Sequence, residues 1–131
     1  MSQSKYMRKR LPPNASAGHR QLAEILEKML NSNGACMTIL YEYSLEDLGN
    51  VGDADYYDVK GMSVDFYIKE LDLAIEYQGQ QHYKDSGFFS GQQGRDLRKK
   101  DFLEDMGIRL VEIPDDGKQL SMEAVRRYIG V

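Results

Sequence analysis

The sequence is short of cysteine and of long apolar runs, and each shortage excludes something. A single cysteine, Cys36, rules out an intramolecular disulfide. With only His19 and His82 to join it, a cysteine-rich structural zinc site is excluded as well. A reducing, cytoplasmic setting fits that usage. No apolar run approaches the ~20 residues of a membrane helix, so no membrane partner is expected. No charged–apolar–small leader opens the sequence, which argues against secretion.

What is present suits one α/β domain. The 131 residues are 41% apolar and 29% charged, which excludes collagen-like, coiled-coil and fully disordered chains. The net charge of −4 is unevenly spread. Residues 1–20 carry Lys5, Arg8, Lys9, Arg10 and Arg20 and no acid, leaving 12 bases and 21 acids in the other 111 residues. A body of net −9 is no generic nucleic-acid coat, but carboxylates can hold metal ions and a local basic patch can grip phosphate.

Residues 1–15 read as a basic flexible arm interrupted by Pro12 and Pro13, either a solubilising tail or a phosphate-contacting segment. Residues 16–131 read as one domain. Ser16 caps a helix whose Leu22, Ile25, Leu26, Met29 and Leu30 recur at helical spacing, and Asn33-Gly34 ends it. A strand is predicted over about 36–43, with Cys36 as buried filler. Residues 44–61 read as a solvated polar loop, anchored by Tyr56-Tyr57. Its acids lack the glycine and closing glutamate of a calcium loop.

Val64, Phe66 and Ile68, then Leu73, Ile75 and Tyr77, alternate with polar or small residues, which is the period of strands. A tight turn at Glu70-Leu71 predicts a hairpin in which Phe66 faces Ile75, Ile68 faces Leu73 and Val64 faces Tyr77. The same register sets Asp65 opposite Glu76. A glycine-punctuated loop over 79–94 follows, with Phe88-Phe89 either docked on the core or free to wedge between bases. The next helix is predicted from about 92 or 95 to 106, with Asp96, Lys99, Leu103 and Met106 on one stripe. A strand over 108–113, a turn at Pro114–Gly117 and a last helix capped by Ser121 complete the order.

Two opposed carboxylates repel unless a cation or proton lies between them. Asp65 and Glu76 are therefore either a solvated sheet face near a lysine or an oxygen-only site for Mg2+ (or Mn2+). Ser63-Val64-Asp65-Phe66-Tyr67, then Leu73-Ala74-Ile75-Glu76-Tyr77-Gln78-Gly79-Gln80-Gln81-His82, resembles the PD-(D/E)XK nuclease superfamily. More narrowly it is similar to the branch of very-short-patch-repair and EDxHD homing endonucleases. Asp96-Leu97-Arg98-Lys99 and Gly107-Ile108-Arg109-Leu110 match that branch's later helix and strand.

The resemblance implies a restriction-endonuclease-like α/β fold, a mixed central sheet flanked by helices. The first and last major helices would lie on its faces and the metal site along one edge. It implies that Asp65 and Glu76 ligate the metal and that Gln78, in the place of the motif lysine, orients the attacking water. His82 would act as general acid or base, or orient the phosphate, and Asp96 would complete the site from the helix. Relatives carry a glutamate near the start of the first helix; here His19 stands on that inward face. Arg8, Lys9, Arg10, Arg95, Arg98, Lys99 and Lys100 are the candidate DNA contacts, set against a solvated surface. The implied function is metal-dependent endonucleolytic hydrolysis of DNA, with specificity from loops, the arm, a homodimer or a protein partner. The rivals are a silent nuclease-like module that binds nucleic acid or protein, and an RNA-directed nuclease.

Overall fold

The computed structural model describes residues 16–31, 34, 36–50, 52–78, 89–114 and 119–130; the side chains of Gln78 and of 89–93 lie outside that description, as does the basic arm. Helix α1 (Ala17–Leu30) starts at Ser16, whose Oγ accepts the His19 N–H at 3.2 Å, and buries Leu22, Ala23, Leu26, Met29 and Leu30. Strand β1 (Ile39–Ser44) begins later than expected, and Cys36 before it is exposed rather than buried.

The stretch expected to be loop folds into a 3-10 turn (Leu45–Asp47) and a short helix α2 (Asp53–Tyr57). Its acids are spent on local donors: Asp53 accepts from the Asn50 N–H at 2.7 Å and Glu46 from the Gly61 N–H at 3.1 Å. Carboxylates that serve the backbone in this way look like solvated loop in sequence. Tyr57 does anchor the segment, packing edge-on against Phe102 and donating to Asp105. Tyr56 stands 82% exposed on top of it.

Strands β2 (Ser63–Ile68) and β3 (Leu73–Gln78) form the predicted hairpin, with Phe66↔Ile75, Tyr67↔Ala74 and Ile68↔Leu73 in register. Asp72 closes its turn at φ 45° and accepts the Tyr67 hydroxyl proton at 2.9 Å. Helix α3 (Phe89–Asp105) starts earlier than predicted, because glycines at 91 and 94 cost a helix only about 1 kcal/mol each. It crosses back to β4 (Arg109–Pro114), which lies parallel to β3. Helix α4 (Met122–Ile129) is capped by Ser121 and buries Val125 and Ile129. The sheet order is β1-β2-β3-β4, antiparallel except for the last pair.

Two apolar layers sandwich this mixed sheet. Leu22, Leu26, Val125 and Ile129 pack with Tyr41, Phe66, Ile68 and Ile75 on one face. Phe102, Leu103 and Val59 pack with Leu40, Val64, Tyr67 and Ala74 on the other. The first and last helices thus share a face, while α3 covers its opposite. Among the described residues no helix is long and apolar enough to cross a membrane.

One break in alternation corrects the expected register. Tyr41 and Phe66 belong to one layer, yet Tyr43 and Val64, two residues along each strand, belong to the other. Glu42, at φ 46°, turns β1 over, and the β1–β2 pairing passes over Glu42 and Asp65. Val64 therefore leaves the Tyr77 side, and the β2–β3 ladder ends at Phe66↔Ile75. Asp65 is freed from direct opposition to Glu76.

Candidate active site

The released Asp65 side chain takes over the bond that the ladder no longer supplies. Its Oδ2 accepts the Tyr77 N–H at 2.8 Å and lies 3.1 Å from His19 Nε2. Helix α1 comes this close because residue 18 is glycine: a Cβ there would overlap the Tyr77 phenol ring. The imidazole then rests tilted between Phe66 and Tyr77, with ring centroids at 5.9 and 5.4 Å. The hydrogen bond to Asp65 raises the His19 pKa above its usual value. Burial opposes that rise, and the charges of Asp65, Glu42 and Glu76 add to it.

Glu76 points to the other face. Its Oε1 accepts from Lys99 Nζ at 2.8 Å, and the two side chains are only 19% and 16% exposed. Burial pushes the Glu76 carboxyl above the usual range; the Lys99 ammonium opposes this, while Asp65 and Asp96 push it further up. In the parallel register Glu76 lies beside Glu112, which Lys100 meets at 3.1 Å. Two neighbouring strand acids thus face two successive lysines of α3.

The fold therefore gathers His19, Asp65 and Glu76 at one end of the two central strands, not at a sheet edge, with Asp96 close enough to act on Glu76. Gln78 closes β3 beside Pro114. His82, Arg8, Lys9 and Arg10 lie outside the described residues. The basic set on α3 divides. Arg95 is exposed. Arg98 binds the Asp58 carbonyl at 3.1 Å, and Lys100 is held by Glu112. Lys99 turns inward to Glu76. Its place on the Asp96–Leu103 stripe was the available signal. Glu112 was missed, because its partner depends on a β3–β4 register that no local pattern encodes.

Among the described residues no three His, Cys, Asp or Glu side chains are grouped to hold a metal ion. Asp65 and Glu76 nevertheless have the right donor chemistry for Mg2+, which binds through one or two carboxylates and completes its shell with waters and substrate phosphate.

No family model matches the chain, and no solved structure matches it significantly. In an alignment 63 residues long that covers 42% of the chain, the sequence is 40% identical to uncharacterized protein 094L of Frog virus 3 (isolate Goorha). The match spans 41% of that viral protein, whose description assigns no activity.

Proposed function

We propose that this chain is a Mg2+- or Mn2+-dependent endonuclease that hydrolyses DNA phosphodiester bonds on a restriction-endonuclease-like fold. The observation that carries the reading is that Asp65 and Glu76, both part-buried on the adjacent central strands, lie near enough for the Asp65 charge to push the Glu76 carboxyl up. Buried carboxylates are retained where they have a task that offsets desolvation. Asp65 and Glu76 would hold the ion, which supplies charge stabilisation at the phosphodiester and lowers the pKa of bound water.

The remaining roles belong to the chain's own groups. Gln78 orients the water through an amide that does not titrate. His82 moves a proton, as a neutral imidazole suits near pH 7. Asp96 adds to the negative field at Glu76. Arg95 and the arm residues Arg8, Lys9 and Arg10 attract the phosphate backbone. Target choice falls to loops, a second copy or a protein partner.

A second reading, a silent nuclease-like module that binds nucleic acid or protein, is favoured by one feature: His19 and Lys99 already engage the two carboxylates. Supercoiled plasmid incubated with Mg2+ or Mn2+ separates the two. The nuclease reading expects cleavage by the wild type, loss in Asp65→Ala, and a rate about 100-fold lower in His82→Ala. No cleavage of duplex, single-stranded, branched or mismatched DNA selects the silent module.

A further inference from the structure

We infer that His19 is a positioning residue of this site: its Nε2–H turns the Asp65 carboxylate so that Oδ1, not Oδ2, is the oxygen offered to the metal ion. The inference rests on the nuclease reading and deepens it. The sheet does not orient Asp65. The β1–β2 pairing passes over it, and the β2–β3 ladder ends one residue away at Phe66↔Ile75. Two donors hold the carboxylate instead, the Tyr77 N–H at 2.8 Å and His19 Nε2 at 3.1 Å. Both reach the same oxygen, Oδ2. A carboxylate has about four lone-pair positions, two on each oxygen. The two donors fill those of Oδ2, and Oδ1 takes neither bond. One bond alone would let the carboxylate swing about the Tyr77 N–H. The second comes from a different element, α1, and fixes the plane.

The donor is itself held. The imidazole lies between Phe66 and Tyr77, and the His19 backbone N–H is tied to the Ser16 cap. The Tyr77 phenol leaves no room for a Cβ at Gly18, so α1 sits directly against β3. Tyr77 thus serves Asp65 twice, through its own N–H and through the ring that flanks His19.

The same bond keeps His19 out of the ligand set. An ionised carboxylate only accepts, so the nitrogen facing Asp65 carries the proton. That nitrogen has no lone pair to give an ion. His19 therefore stands behind Asp65 and acts through it. Groups that hydrogen-bond a ligating side chain are typically worth about 10- to 100-fold in metal affinity or activity.

The test uses the full chain with His19→Phe and His19→Gln, folding checked by circular dichroism and thermal melting. His19→Phe keeps a ring between Phe66 and Tyr77 and removes the donor. His19→Gln removes the ring and keeps an N–H donor of similar reach. Mn2+ affinity is measured by calorimetry, beside the Mn2+ dependence of plasmid cleavage and DNA binding in EDTA. His19→Phe is expected to weaken Mn2+ binding by about 10- to 100-fold and to move the cleavage midpoint to higher Mn2+ by the same factor. Its DNA binding in EDTA stays at the wild-type value. His19→Gln is expected to regain most of the Mn2+ affinity. Wild-type Mn2+ affinity in folded His19→Phe overturns the inference. So does weaker binding by His19→Gln than by His19→Phe, which would make packing the whole role. Pulsed EPR of the Mn2+ complex gives a third check: a directly bound nitrogen that disappears in His19→Gln would make His19 a ligand and overturn the inference. If the wild type binds Mn2+ and cleaves and His19→Phe matches it, His19 alone is removed; if the wild type neither binds Mn2+ nor cleaves, the nuclease reading falls and takes this role with it.

Discussion

The two faces of the sheet present opposite solutions to one problem, the placing of a cation beside a part-buried acid. On the α1–α4 face, His19 reaches Asp65 through close apolar packing: five buried α1 residues, and a glycine backbone pressed on Tyr77. On the α2–α3 face, Lys99 reaches Glu76 along a polar helix whose middle is held by ion pairs to Asp58, Glu76 and Glu112. The first arrangement is sensitive to volume, and its histidine has its pKa raised by the hydrogen bond to Asp65. The second is sensitive to charge. The exposed Arg98–Asp58 pair adds little to stability, so the burial of Phe102 and Leu103 bears most of the docking of α3. A histidine thus meets the acid of one face and a lysine the acid of the other.

The largest expected effect removes charge from the lysine face. Glu76→Gln keeps the side chain's shape and should lower cleavage by about 1000-fold, equivalent to ~4 kcal/mol of barrier. Gel-based rate measurement checks it, and an unchanged rate would make Glu76 a structural partner of Lys99.

Volume should separate the faces next. Gly18→Ala forces its methyl onto the Tyr77 ring and is expected to cost about 1–3 kcal/mol in urea melts. Gly94→Ala meets only Arg98 Nη1, at 3.6 Å, and is expected to stabilise α3 by up to ~1 kcal/mol. The same sign for both substitutions would erase the contrast.

A smaller effect lies in pH. The His19 pKa is raised in the fold by Asp65, so its contribution is full below about 6.5 and is lost as pH rises through the folded value. Glu76, also raised, favours the fold in the same acid direction. Thermal melts between pH 5.5 and 8.5 should therefore show the wild type losing more stability than His19→Gln as pH rises. Parallel curves would remove His19 from the dependence. The smallest effect on chemistry belongs to the arm, which touches neither comparison. Deleting residues 1–12 removes Lys5, Arg8, Lys9 and Arg10 and should flatten the salt dependence of DNA binding while leaving the cleavage rate at saturation unchanged.

Much of this architecture is legible in local pattern. The Ser16 cap, the Leu22–Leu30 face, the Phe66–Ile75 and Ile68–Leu73 hairpin pairs and the Ser121 cap follow from spacing and side-chain chemistry, since each is a short-range effect. The chain's turnover at Glu42 is not legible, because a left-handed glutamate leaves no mark in composition. It also decides where Asp65 goes, which is why its opposition to Glu76 is replaced by a bond to the Tyr77 N–H. Asp53 and Glu46 resemble solvated loop for the same reason: their partners are the backbone N–H groups of Asn50 and Gly61. The inward turn of Lys99 was half legible, since the stripe was visible but the acid awaiting it was not.

The central claim is that Asp65 and Glu76, tied to opposite faces, form one site. Calorimetric titration of the metal-free wild type, Asp65→Ala and Glu76→Ala with Mn2+ tests it most directly. The account predicts one binding event in the wild type that either substitution abolishes. Equal Mn2+ binding by all three proteins would contradict it.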